Sequence, residues 1–154
     1  NILRSEHKRP VCNIILQGSN KTQILESTSS VLSVRTFQYS SCFVYFQIEC
    51  QSYGRGAHLA SVLTKAETLL VAEHIATYQK QPSNVWIGLH DVRQTRKWRW
   101  ADESTYNYKA WMIGEPDNYG QNEHCVELVF YTGFTQWNDA ECKKRNAYIC
   151  KHEL

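Results

Sequence analysis

The spacing of apolar and polar positions divides the chain into a helical part and a later part built of strands. Phe43, Phe46, Cys50 and Tyr53 share one helical face, and Gly54 follows as a stop, so a first helix is predicted there. Thr64-Lys65-Ala66-Glu67 has the form of a capping box. Behind it Leu69, Ala72, Ile75 and Ala76 form an apolar stripe that ends before Pro82, which predicts a second helix over residues 65–79. The period then changes. Val85-Trp86-Ile87-Gly88-Leu89 is a short apolar run suited to a buried strand, and Lys97-Trp98-Arg99-Trp100 alternates as a half-buried strand does. A Gly-, Pro-, Asn- and Asp-rich stretch covers residues 103–123, and residues 125–129 and 147–150 read as late strands. Two helices, several short strands and a long loop predict an α+β fold.

Composition draws a boundary near residue 37. Residues 1–36 contain no Phe, Tyr or Trp, and all five tryptophans lie at or after Trp86. Without aromatic anchors this part has little apolar area to offset the entropy of ordering, so residues 1–41 read as a poorly ordered or atypical N-terminal segment. Residues 42–154 read as the domain. The chain starts at Asn1 and its single methionine is Met112, so it is read as a processed product or a fragment.

Charge and cysteine usage narrow the class. With 42% apolar and 21% charged residues, the 154-residue chain has the balance of one globular domain. A net charge of +2 predicts no nucleic-acid partner, and no apolar run approaches the roughly 20 residues of a membrane span. Six cysteines, at 12, 42, 50, 125, 142 and 150, lack the close pairing of a zinc site. They read as disulfides of an oxidising compartment, and the sequon at Asn20 points to the same secreted setting. No nucleophile elbow, zinc-protease helix or phosphate loop is present.

The chemistry concentrates in the loop and the strand after it. Glu115, Asp117 and Glu123 fall within nine residues, and Asn138-Asp139 follows Trp137. These are five oxygen donors, four of them carboxylates, and backbone carbonyls or water can complete a calcium shell around them. A cis bond before Pro116 is one way to turn both flanking side chains to one side. Acid count alone suits a solvated acidic loop better, which is what most such clusters are.

The flanking residues add a resemblance. Cys50, His58-Leu59-Ala60-Ser61, Trp86-Ile87-Gly88-Leu89, Glu115-Pro116-Asp117, Cys125, Trp137-Asn138-Asp139, Cys142 and Cys150 resemble, in order and spacing, the C-type lectin-like domain. Residues 51–62 and 86–91 look closest to its regenerating-protein branch, and residues 115–138 to the sugar-binding venom lectins. The resemblance implies a compact α+β fold with a long irregular calcium-binding loop. It implies the disulfides Cys50–Cys150 and Cys125–Cys142. It also implies that Glu115, Asp117, Glu123, Asn138 and Asp139 hold one calcium. In the sugar-binding branch two neighbouring sugar hydroxyls then reach that calcium, with Glu115, Asp117, Glu123 and Asn138 as their hydrogen-bonding partners.

Two departures shape the expectation. Mannose-type members read Glu-Pro-Asn and galactose-type members Gln-Pro-Asp, whereas this chain reads Glu-Pro-Asp. Asp117 therefore adds charge for the metal and removes the amide donor that a sugar hydroxyl uses. The other departure is the N-terminal part. Phe43 and Phe46 stand where the family carries Trp and Ala, residues 1–41 match no family element, and the pairing of Cys12 and Cys42 stays open.

Two basic groups complete the reading. Arg93, Arg96, Lys97 and Arg99 interleave with Trp98 and Trp100, and Lys143-Lys144-Arg145 forms the other. Each suits a sulfated glycan, an anionic lipid or a cell-wall polymer, or is a solvated face. The expectation is a secreted, calcium-dependent carbohydrate-binding module with a mannose-type-like site, not an enzyme. The alternative is a lectin-like domain that binds a protein, a bacterial cell-wall polymer or a mineral surface without sugar coordination. A hydrolase using Glu115 and Glu123 ranks last.

Overall fold

The computed structural model describes residues 24–27, 30–35, 43–91 and 93–153, with the strands at 24–35 described through their backbone. Asn20, Cys12 and Cys42 lie outside the described residues. The elements in chain order are β1 (Ile24–Ser27), β2 (Ser30–Arg35), α1 (Phe43–Gln51), β3 (His58–Leu59), α2 (Lys65–Tyr78), β4 (Val85–His90), β5 (Arg99–Trp100), β6 (Cys125–Leu128), β7 (Trp137–Ala140) and β8 (Ala147–Glu153). They form one sheet in the order β1-β2-β8-β4-β6-β7, with β3 added on β8 and β5 on β4. The pairings are antiparallel except β4 with β8, which run parallel.

β4 reads as an unbroken apolar run because both of its faces are covered. Val85, Ile87 and Leu89 join one buried cluster with Val71, Ala72 and Ile75 of α2 and Trp137 of β7. Trp86 joins the other, with Phe43, Phe46 and Cys50 of α1 and Tyr148 of β8. The period of two that normally reveals a strand is thus hidden when a helix packs on each side. Gly88 has its own reason. A Cβ there would lie 2.5 Å from the Leu59 carbonyl oxygen, because residues 59–60 cross directly over it and the Gly88 N–H donates to Ala60 O at 2.8 Å.

The helices begin as predicted, but α2 is turned. Thr64 Oγ1 accepts from the Glu67 N–H at 3.1 Å, and Glu67 Oε2 reaches back to the Leu63 N–H at 2.6 Å rather than to Thr64. The buried face is Thr68, Val71, Ala72, His74 and Ile75, while Leu69 is 55% exposed and Ala76 is exposed. The predicted stripe is therefore corrected by about one position. Thr68 bonds to the Tyr108 hydroxyl at 3.0 Å, and this polar contact with the long loop lies on the inward face.

Part of the N-terminal segment joins the sheet. β2 pairs with β8 along its whole length, from Ser30 opposite Glu153 to Arg35 opposite Tyr148. No helical or alternating pattern marks this stretch, but a backbone ladder needs only a partner edge. The two expected disulfides are present. Cys50–Cys150 ties α1 to β8 and closes a separation of 100 residues, worth about 4.7 kcal/mol as lost chain entropy. Cys125–Cys142 spans 17 residues and clamps the start of β6 to the turn after β7.

Trp137 fixes the long loop to the sheet. Its ring meets those of Trp100, Tyr108 and Trp111, each at a centroid distance of 5.7 Å. Its backbone accepts from Met112 N at 2.9 Å and donates to Ala110 O at 2.8 Å. The residues flanking Pro116 are thereby brought beside Asn138 and Asp139, which follow the tryptophan.

Candidate functional site

The loop and β7 build an acidic cluster. The Glu115–Pro116 bond is cis. Carboxylate oxygens of Glu115, Asp117 and Asp139 lie within 4.8 Å of one another. Asp139 is fully buried and organises the loop. Its Oδ1 accepts from Asp117 N and its Oδ2 from Asn118 N, both at 3.1 Å. Asn118 holds a left-handed conformation at φ 53°, and its Oδ1 accepts from Glu123 N at 3.0 Å. The Tyr119 N–H is shared by Asp117 Oδ1 at 2.9 Å and Glu123 Oε2 at 2.8 Å, which brings Glu123 to the same side.

This concentration of negative charge has an electrostatic signature. Burial first, then a shared hydrogen bond with Asp139 and the charges of Asp117 and Asp139, hold the Glu115 carboxyl above its usual range. Glu123 is pushed up to about 7, by burial first and then by Asp139 and Asp117, against the lowering effect of the Tyr119 N–H. Carboxyls in this state await a proton or a cation. All the donors are oxygens, so the arrangement suits a hard divalent cation.

Asn138 sits differently from the four acids. It stands opposite Glu127 in the β6–β7 ladder, and its Nδ2 donates to Glu127 Oε1 at 3.1 Å. Its amide nitrogen is thereby turned toward Glu127. Glu127 is 1% exposed and also receives Asn84 Nδ2 at 2.8 Å, Lys144 Nζ at 2.8 Å, and Asn146 Nδ2. Sequence reasoning passed over Glu127. The signal was a charged residue inside the apolar run Cys-Val-Glu-Leu-Val.

Two basic residues also need reassignment. Arg96 leaves the basic group in which its neighbours placed it. Its Nη2 pairs with Asp139 Oδ2 at 3.0 Å, and its Nη1 donates to Glu123 O at 3.1 Å. Its guanidinium carbon also lies 5.1 Å from the centre of the Trp98 ring. Lys144 likewise leaves its cluster to neutralise Glu127. Neither partnership has a local sequence signal, because the partners are 43 and 17 residues away.

Comparison with known proteins shows the family. Residues 43–152 match the Lectin C-type domain family. The chain is 40% identical to human regenerating islet-derived protein 4, over 75% of this chain and 77% of that protein. It is 44% identical to C-type lectin BpLec of Bothrops pauloensis, over 66% of this chain and 76% of that one. Its fold superposes on human lithostathine with a TM-score of 0.77 and 33% identity, covering 85% of this chain and 97% of that one. With a family model matched over residues 43–152 and relatives 40% and 44% identical, the chain belongs to the C-type lectin domain family.

Proposed function

We propose that this chain is a secreted, calcium-dependent carbohydrate-binding module that binds rather than transforms its ligand. The observation that carries the reading is the convergence of Glu115, Asp117 and Asp139 within 4.8 Å. Two oxygens on one calcium, at Ca–O lengths of 2.3–2.6 Å, lie at most about 5 Å apart, so the three carboxylates fit a single ion. Glu123 and Asn138 extend the donor set, and the two disulfides suit an oxidising compartment. Bound calcium supplies oxygen-coordination positions for two neighbouring sugar hydroxyls.

The chain's own residues set what such a site can do. Glu115, Asp117 and Glu123 accept hydrogen bonds from hydroxyls, and Asp117 offers no donor in return. Asn138 has an amide, but its nitrogen is engaged by Glu127. The site is therefore rich in acceptors, and its grip on simple sugars is weak. Arg96 already occupies one side of Asp139, so a cation competes with a guanidinium there.

A second reading has its own observation. Ile113 is 101% and Tyr119 81% exposed, beside Glu115 and Asp117 in sequence. Apolar side chains so placed favour contact with a protein or cell-wall polymer over a lone monosaccharide. Calorimetric titration with calcium tests the first step, and binding to a glycan array with and without chelator tests the second. Calcium binding with no glycan signal would transfer the function to the second reading.

A further inference from the structure

A sugar hydroxyl donates one hydrogen bond and accepts others, so a site for neutral sugar offers both kinds of partner. The acidic cluster has turned its donors inward. Among its five residues Asn138 is the one amide, and that nitrogen gives an N–H to Glu127 Oε1 at 3.1 Å. Glu127, a carboxylate paired with Lys144, accepts and does not donate, so the Asn138 nitrogen has to face it. The backbone N–H groups of the loop are spent in the same way. Asp117 N donates to Glu115 Oε2 and Asp139 Oδ1, each at 3.1 Å. Asn118 N donates to Asp139, and Tyr119 N to Asp117 and Glu123. What the five residues keep for a ligand is chiefly acceptor oxygen. Among the described residues, no ion pair engages Glu115, Asp117 or Glu123, and the Arg96 guanidinium is held by Asp139 Oδ2 and the Glu123 carbonyl. Four carboxylates set against one guanidinium and one divalent cation leave a negative charge over.

We propose that this site selects a sugar that carries a free, protonated amine beside its hydroxyls, as in an oligomer of unacetylated glucosamine. The inference rests on the calcium-dependent reading above and names its substrate class. An ammonium brings three donors and a positive charge and asks for no donor in return, which is what a cluster rich in carboxylates can answer. Acetylation removes that charge and adds a carbonyl acceptor, for which Glu115, Asp117 and Glu123 have no donor. Tyr119, 81% exposed and between Asp117 and Glu123 in sequence, adds an aromatic face that attracts an ammonium. The lysine side chain of a protein fits less well. It brings the ammonium without neighbouring hydroxyls, so it competes with calcium for the carboxylates instead of binding together with it.

The test compares tetraglucosamine, tetra-N-acetylglucosamine, mannotetraose and tetralysine by calorimetry at saturating calcium, at a mildly acid pH that keeps the amines charged. Tetraglucosamine is expected to bind about tenfold or more tightly than either neutral tetramer, the effect of one charge-assisted hydrogen bond, and to be lost in chelator. Asp117→Asn, an isosteric change at an exposed position, should erase or reverse that preference, with melting temperature as the check on folding. Glu115→Gln is the second variant and should reduce it in the same direction. Four results would overturn the proposal: equal affinity for the free and acetylated tetramers, tetralysine binding as tightly as tetraglucosamine, tetraglucosamine binding unchanged in chelator, or a preference unchanged in both variants. A calcium titration without sugar separates the two levels. Absence of calcium binding overturns the calcium-dependent reading and this proposal together, whereas calcium binding without a preference for the amine overturns this proposal alone.

Discussion

Glu127 and Asp139 are both buried carboxylates, on the neighbouring strands β6 and β7, and each faces one cation. Their surroundings differ. Glu127 meets Lys144 and three side-chain amides, so its charge and its lone pairs are answered. Asp139 meets Arg96 and two backbone N–H groups, but Glu115, Asp117 and Glu123 crowd the same space. Four carboxylates with one guanidinium carry a surplus of negative charge that the protein does not neutralise. A satisfied buried acid holds a fold together, whereas a surplus of acid marks a place for a ligand.

The largest expected effect lies on the satisfied side. Glu127→Ala strands Lys144, Asn84, Asn138 and Asn146 without their acceptor and should cost about 3 kcal/mol in urea unfolding. Glu123→Gln, on the surplus side, should leave metal-free stability at neutral pH unchanged or higher while weakening calcium binding. If both substitutions destabilise the metal-free protein equally, the contrast between the two regions fails.

Calcium and pH sharpen the same comparison. At a hundredfold excess over Kd, calcium should stabilise the domain by about 2.7 kcal/mol, read as a rise in melting temperature against chelator. In chelator, the folded Glu123 carboxyl titrates near 7 and its ordinary value is 4.5. Between those values the folded state holds more protons than the unfolded chain, so stability falls as pH rises from about 4.5 to about 7. With saturating calcium the carboxylate is ionised in the folded and the unfolded chain alike, so this fall should flatten, and stability should be lost only as pH drops below about 4.5. A flat chelator profile in thermal melts would remove the evidence of repulsion.

Asp117→Asn returns an amide to the Glu-Pro-Asn order. Mannose affinity should rise by about 1.5–3 kcal/mol, roughly ten- to a hundredfold, as calcium affinity falls somewhat. Both are measured by calorimetry, the sugar at saturating calcium. Without a gain for mannose, the missing donor is not what limits sugar binding.

Arg96→Gln carries the smallest effect and the clearest sign. Removing the internal cation should raise calcium affinity roughly two- to fivefold and lower the melting temperature in chelator. A fall in calcium affinity would mean that Arg96 supports the loop more than it competes for Asp139.

Much of the fold was legible because local rules applied. The Thr64–Glu67 cap, the helical spacing of Phe43, Phe46 and Cys50 and the apolar run at 85–89 all act over a few residues. The acids of the candidate site were legible as a group because four of the five donors are carboxylates near turn residues or Trp137. The turn of α2 was not, since Leu69 and Thr68 differ only in what lies opposite, and Tyr108 is 40 residues beyond Thr68. Strand β2 was also illegible, because its partner β8 is at the far end of the chain.

By itself the sequence determined the α+β class, the two helices, the cysteine pairs implied by the family likeness and the residues from which a cation site can be made. These follow from periodicity, turn chemistry and ordered motifs, which are short-range or one-dimensional. The tertiary structure alone decided which charges meet. It sent Arg96 to Asp139 and Lys144 to Glu127, and left Arg93, Lys97 and Arg99 facing a groove. Charge pairing falls off over a few ångströms of space, and sequence distance carries little information about that separation once a chain has folded back on itself.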